Sequence, residues 1–324
     1  MKFLVTGITG FAGPHLAKKL LREGHDVHGI VRTANGRETD LLDIMTSEEL
    51  DAVQFHYLDL KHFYGVSKLL DKEMFDGVFH LAAQSHPPTS FKDPILTWEE
   101  NVTGTVNIIT ALQKTNTRFM FCSTSEVYGD ACKDVGLLTT DMSLTPSNPY
   151  GTSKAAMDLY VQERTSNGFL DGFVTRAFSH TGPRRGKIFS ISSDAAQIAA
   201  IEHKIQEPVL KIGNLKTERV VIDVRDCVNA YYLLMMNDDS IGKIFNVCGD
   251  DIHKMQYYTD ILIKESTVKD IEQKIYPPYY RDIDIQVQVG DSQLLKTMTG
   301  WKPEITIEQT MIDLLNYWRH KLSI

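Results

Sequence analysis

The chain has 324 residues, 42% hydrophobic and 23% charged, with 21 Gly and 11 Pro, a composition that excludes a disordered, collagenous or coiled-coil protein. Its 34 Lys+Arg against 42 Asp+Glu give a formal charge of -8, and with no basic run anywhere nucleic acid is excluded as a partner. No apolar window reaches the ~18 residues of a membrane span, and the opening Phe3-Leu4-Val5 reads as a strand and not as a signal segment. The sequence therefore predicts a soluble cytoplasmic protein without a membrane partner. An acidic chain can still bind an anionic nucleotide through a few Arg side chains and backbone N–H groups in a cleft. Cys122, Cys132, Cys227 and Cys248 have no ligand spacing, which predicts reduced, buried thiols and no metal.

In chain order, a strand over 2–6, a Gly-rich turn, a helix over 15–23 and a strand over 26–31 form a βαβ unit. A polar stretch over 33–49 precedes a strand over 54–58, a helix over 66–72 and a strand over 77–81. A helix over 98–114, a strand over 118–123, a helix over 150–166 and a strand over 172–176 continue the alternation. Near-continuous apolar strands between helices predict a parallel sheet covered on both faces, hence a Rossmann-type, doubly wound α/β fold. Past residue 178 the rhythm breaks into a helix over 194–204, a strand over 209–212, a charged loop over 213–219, a helix over 225–236, a strand over 244–247 and a helix over 307–321. This predicts a cofactor-binding unit over 1–178, with later elements near 220–248 joining it, and a smaller mixed α/β substrate lobe over 179–324. A ligand cleft is expected between the two.

Gly7-Ile-Thr-Gly10-Phe-Ala-Gly13 stands between the first strand and the first helix, the context in which such a motif presents a helix N-terminus to a pyrophosphate. Its G-x-x-G-x-x-G spacing resembles the short-chain dehydrogenase/reductase superfamily. The second strand ends at Arg32, where an NAD-specific enzyme usually places a carboxylate; a guanidinium suits a 2′-phosphate and favours NADP over NAD. Asp59, after the third strand, resembles the family's adenine-contacting Asp.

Tyr150 and Lys154 lie at i, i+4 spacing on one helical face, so Lys154 can lower the Tyr150 pKa and let it take a proton from a sugar hydroxyl. The run Ser123-Thr124-Ser125-Glu126 ends the fifth strand, at the carboxyl edge where doubly wound folds bind ligands. Thr124 is placed to hydrogen-bond the reacting hydroxyl. Glu126 is a base of the kind needed to remove a C–H proton beside a ketone.

These motifs, with His80-Leu-Ala-Ala-Gln-Ser85 and Asn101-Val-Thr-Gly-Thr, make the chain resemble extended short-chain dehydrogenase/reductases acting on nucleotide sugars, from Gly7 to Thr299-Gly-Trp-Lys-Pro303. Within them it most resembles GDP-mannose 4,6-dehydratases and their sister group, the GDP-4-keto-6-deoxymannose reductases. The carrying stretches are His28 to Arg32, Ala82 to His86, Ser179 to Gly186, Ile212 to Leu215 and Asp223 to Asp226. The long insertion after Arg32 and the Thr124-Ser125-Glu126 trio favour the dehydratase, whereas the run after Arg219 reads closer to the reductases. An epimerase or decarboxylase shares some of these motifs.

The resemblance implies cofactor contacts from Gly7, Thr9, Gly10, Phe11, Ala12, Gly13, Arg32, Asp59, Leu60, Leu81, Ala82, Ala83, Ser85, Tyr150 and Lys154. It implies contacts to a GDP-sugar from Ser85, Glu126, Ser179, Arg184, Arg219 and Arg281. Ser179 replaces the family's usual Asn, Asp282 its usual Pro and Asp284 its usual Glu. The family's helix pairing over 98–114 and 150–166 implies a homodimer, and the insertion over 33–52 a homotetramer.

Overall fold

The computed structural model describes residues 1–33, 36–113, 115–132, 136–280 and 285–323. β1 (Lys2–Thr6) buries Phe3, Leu4 and Val5 completely, and a strand apolar on both faces fits the middle of a sheet covered on both sides. There follow α1 (Ala12–Arg22), β2 (Asp26–Val31), α2 (Ser47–Asp51), β3 (Val53–Tyr57), α3 (Phe63–Glu73) and β4 (Gly77–His80). Next come α4 (Pro87–Lys92), α5 (Pro94–Trp98), α6 (Gly104–Leu112), β5 (Arg118–Thr124), α7 (Pro149–Ser166) and β6 (Asp171–Ala177). The remainder comprises β7 (Ser179–Thr181), α8 (Ser190–Glu202), β8 (Val209–Ile212), β9 (Glu218–Asp223), α9 (Val224–Met235) and β10 (Ile244–Val247). It ends with β11 (Ile252–Lys254), α10 (Met255–Glu265), β12 (Glu272–Ile275), β13 (Val287–Gln288), α11 (Gln293–Thr299) and α12 (Ile307–Ser323).

Seven strands form one parallel sheet in the order β10-β6-β5-β4-β1-β2-β3. Its two faces carry separate cores. One packs α1 and α9 through Leu16, Leu20, Val228 and Leu234; the other packs α3, α6 and α7 through Val66, Leu70, Ile108 and Met157. Strand order reverses between β1 and β4, which opens the crevice where this fold takes ligands. The late elements α9 and β10 complete this unit. A third core, built on Ala195, Ile198, Tyr258 and Leu314, belongs to α8, α10 and α12 in the lobe.

Three of the departures from the sequence reading bear on the site or on the Gly turn. The helix expected over 98–114 is broken: α5 passes into a wide π turn, Glu99–Thr103, before α6, and Lys114 lies outside the described residues. The cause is Asn101, fully buried, whose Oδ1 accepts from Gln84 N at 2.7 Å and whose Nδ2 donates to Gln84 O at 3.0 Å and Ser153 Oγ at 2.9 Å; a π turn aims such a side chain inward at a functional site. The loop expected over 213–219 runs into β9, which pairs with β11 antiparallel and with β7 and β13 in parallel. The polar stretch after Arg32 folds back on its own chain as a 3-10 turn, Arg37–Asp43, and the capped helix α2, sinking Leu41 and Met45 into the first core.

One buried polar network ties the central strands to α7. Arg176, 2% exposed, donates from Nε and Nη2 to the two carboxylate oxygens of Asp158 at 2.9 and 3.0 Å, and from Nη1 to Tyr128 Oη and Thr140 O at 2.9 Å. Ser123 Oγ and Gln162 Nε2 donate to the same carboxylate, each at 2.7 Å. All four cysteines are free thiols, Cys132, Cys227 and Cys248 buried and Cys122 half-buried.

Candidate active site

A cavity of about 1080 Å³ runs from the Gly turn, past the carboxyl ends of β4, β5 and β6, into the lobe. At its first end Gly7 turns the chain at φ 70°, and a Cβ on Gly13 would lie 2.4 Å from Gly7 O. The absence of side chains lets α1 start against the turn. No side chain caps α1, so its first N–H groups remain available to an anion. Gly7, Gly10, Phe11, Ala12, Gly13, Leu81, Ala82, Ala83 and Ser85 all line this end. The fit is to the diphosphate and nicotinamide of a dinucleotide cofactor.

Thr124, Glu126, Tyr150 and Lys154 line the middle. Thr124 Oγ1 accepts from Glu126 N at 3.3 Å as β5 ends, and α7 delivers the other two from the facing wall. Asn148 joins the two walls: its Oδ1 accepts from Gly151 N at 2.7 Å, capping α7, while its Nδ2 donates to Glu126 Oε2 at 2.7 Å. Lys154 Nζ donates to Cys122 O at 2.5 Å and lies 4.6 Å over the Phe121 ring; burial lowers its pKa. Burial pushes the Tyr150 phenol well above its ordinary value, opposed by a hydrogen bond with Thr124 and by the charge of Arg185. The sequence reading assigned that cation to Lys154. Here Arg185 brings a second positive charge to the phenol, while Lys154 donates to the strand carbonyl of Cys122.

The neighbouring arginine reverses in the same way. Arg184 does not line the cavity. With φ 74° it turns back, donating from Nη2 to Thr9 O at 2.8 Å, from Nε to Gly10 O at 3.1 Å and from Nη1 to Asp43 Oδ2 at 3.2 Å. Arg185 enters the cavity instead, its guanidinium 3.4 Å from the Phe189 ring centre and 4.7 Å from that of Phe11. Burial brings its pKa down to about 10. A residue in left-handed backbone shifts which side chain faces inward, and two adjacent arginines carry no sequence sign of it.

Arg32, Asp59, Leu60 and Thr9 also lie off the cavity wall. Arg32 is exposed and pairs with Glu100, which also meets Lys61 at 3.1 Å. Asp59 Oδ1 accepts from Lys61 N at 2.9 Å and shapes the turn after β3; Leu60 O accepts from Asn107 Nδ2 at 2.9 Å. Thr9 contributes its carbonyl to Arg184. Ser85, Ser179 and Arg219 do line the wall, and Arg219 is held by Glu218 O at 2.9 Å and Ile285 O at 2.5 Å. Arg281, Asp282 and Asp284 lie outside the described residues. Asn148 was legible as an Asn-Pro helix start, although its bond to Glu126 was not.

The family model described as GDP-mannose 4,6 dehydratase matches residues 4–314. The chain belongs to the GDP-mannose 4,6-dehydratase family. Within this family it is similar to the GDP-mannose 4,6-dehydratase of Vibrio cholerae, 30% identical over 99% of this chain and 96% of that one. It is also similar to the GDP-6-deoxy-D-mannose reductase of Pseudomonas aeruginosa, 29% identical over 99% and 98%. Among solved structures, RMD from Pseudomonas aeruginosa complexed with NADPH superposes with a TM-score of 0.82 at 28% identity, covering 99% of both chains. The Thermus thermophilus UDP-glucose 4-epimerase complex with NAD shares the fold at TM-score 0.83 and 24% identity, covering 98% of this chain and 99% of that one. One of these two structures is a complex with NADPH and the other with NAD, and the Gly turn of this chain has the shape that a nicotinamide dinucleotide needs.

Proposed function

We propose that this family member is a nucleotide-sugar 4,6-dehydratase acting on GDP-mannose, with NADP as its resident cofactor. The observation that carries the reading is Glu126, a carboxylate held by Asn148 in the same cavity wall as Tyr150 and Thr124. When bound, the nicotinamide supplies the hydride acceptor for sugar C4 and the donor for C6. The side chains move the protons. Tyr150 Oη takes the proton of the C4 hydroxyl, with Thr124 Oγ1 hydrogen-bonding that oxygen. The resulting C4 carbonyl acidifies the C5–H bond, and the Glu126 carboxylate removes that proton. The protonated Glu126 then delivers its proton to the C6 oxygen, which leaves as water; as hydride would return to C6, C5 regains a proton, which balances the one that Tyr150 took from the C4 hydroxyl. Arg185 and Lys154 supply positive charge on the Tyr150 side, and Arg219 suits the substrate diphosphate. Arg32, directly after β2 where no carboxylate stands, supports NADP over NAD.

The similarity to the Pseudomonas aeruginosa reductase favours a second reading, in which a 4-keto-6-deoxy sugar is reduced with stoichiometric NADPH. Incubating the purified protein with GDP-mannose and no added cofactor separates the two. A 4-keto-6-deoxy product is expected; turnover only of the 4-keto sugar with added NADPH refutes the dehydratase. Glu126→Gln is expected to stop water loss and leave reduced-cofactor absorbance standing, and unchanged turnover refutes Glu126 as the base. Ile95, Trp98 and Leu159 are exposed apolar side chains on α5 and α7, two helices that pack on each other, a placement that suits a homodimer. Ile95→Glu with Leu159→Glu should halve the mass measured by light scattering, and an unchanged mass refutes that interface.

A further inference from the structure

Gln288 is 3% exposed and lines the cavity, yet its carboxamide makes no hydrogen bond with any described residue, and its Nε2 is buried without an acceptor. A buried unpaired donor is destabilising, and native structures keep few of them without a purpose. Its position is defined by the strands. In register it faces Arg219 on β9, and the residues that follow it pack on the segment leading away from Glu126: Leu138 N donates to Val289 O at 2.9 Å, and Cys132 Sγ to the same carbonyl. Gln288 therefore stands in the wall that joins the arginine suited to the diphosphate with the strand end that bears the base. Between a sugar's diphosphate and its reacting C4–C6 edge lie the remaining ring hydroxyls. A carboxamide offers a donor group at one end and an acceptor at the other, the pair that a hydroxyl answers; rotation about its last side-chain torsion, which is broad for Gln, turns either end to the cavity.

We propose that Gln288 is a specificity-determining residue that hydrogen-bonds a pyranose hydroxyl of the nucleotide sugar, distinguishing the glycosylated nucleotide from the free one. This rests on the nucleotide-sugar reading above, and deepens it.

The test compares wild type, Gln288→Met, which keeps the shape and removes both polar ends, and Gln288→Asn, which keeps the amide but retracts it. Calorimetry with GDP-mannose and with GDP is run on the full-length protein as purified, beside thermal unfolding without ligand. Both variants should bind GDP-mannose about tenfold more weakly, as loss of one hydrogen bond predicts. GDP affinity should be unchanged, and Gln288→Met should unfold at the same temperature as wild type or higher. Equal losses for the two ligands, or none for either, overturn the proposal, as does a fall of several degrees in the unliganded Gln288→Met, which would mark a carboxamide satisfied in the resting protein. Should Gln288→Met not fold, Gln288→Asn decides on the same two ligands. Because the readout is binding, a protein that discriminates the ligands but converts no GDP-mannose would refute the dehydratase reading and leave this one standing.

Discussion

Replacing Arg176 by Met removes the cation paired with the buried Asp158 carboxylate and leaves that carboxylate, among the described residues, with the Ser123 and Gln162 hydrogen-bond donors. Both members of the pair are at least 98% buried, so solvent cannot take over the lost charge. Truncating one partner of a buried pair costs about 3–5 kcal/mol. For a chain of 324 residues the unfolding entropy is roughly 0.7 kcal/mol/K, and the expected fall in Tm is therefore about 4–7 °C. The removal of donors from Tyr128 Oη and Thr140 O acts in the same direction. The double variant Arg176→Met with Asp158→Leu should recover much of the loss, because an apolar pair leaves no stranded charge. Chemical denaturation and thermal unfolding of the four proteins of this cycle supply the numbers. A single variant within about 1 kcal/mol of wild type, or a double variant no more stable than Arg176→Met, would refute the view that this pair holds α7 to the sheet.

Arg185→Met should weaken nicotinamide dinucleotide binding by at least about tenfold, and Arg185→Lys should not restore it, since the planar guanidinium stacks on Phe189 and Phe11 where an ammonium cannot; fluorescence titration measures this, and full rescue by Lys counts against it. Burial raises Asp194 to about 7, eased by the hydroxyl of Thr259 at 2.8 Å. A carboxyl raised in the folded state contributes stability that is present below about pH 4 and lost as pH climbs to about 7. Asp194→Asn should therefore gain on wild type across that interval, by up to ~4 kcal/mol, and hold a constant lead above it; parallel denaturation profiles from pH 4.5 to 8 would contradict the assignment.

Much of the first unit was legible because apolar strands and amphipathic helices alternate within short stretches, as at Phe3 to Val5 and Leu16 to Leu20. The placement of Tyr150, Lys154 and the Gly turn along one cavity was legible for the same reason, since it follows from local spacing. What escaped depends on distant partners. The π turn at Asn101 answers to Gln84 and Ser153, β9 extends to Glu218 because Lys254 and Val287 lie beside it, and α10 carries an apolar face that serves a core assembled from three separate segments. The arginine exchange turned on one φ angle at Arg184, a property of the folded backbone. Gln288 carries no sign of a role until the cavity is seen beside it.

Asp43 lies in the stretch after Arg32 and receives Arg184 Nη1 at 3.2 Å, Tyr317 Oη at 3.1 Å and Lys321 Nζ at 2.7 Å, while the same Arg184 grips the carbonyls of Thr9 and Gly10. The pyrophosphate turn, although written in the first thirteen residues, is thus braced from the last helix of the fold. During synthesis the turn can close on itself early, but its outer support arrives only when α12 has docked.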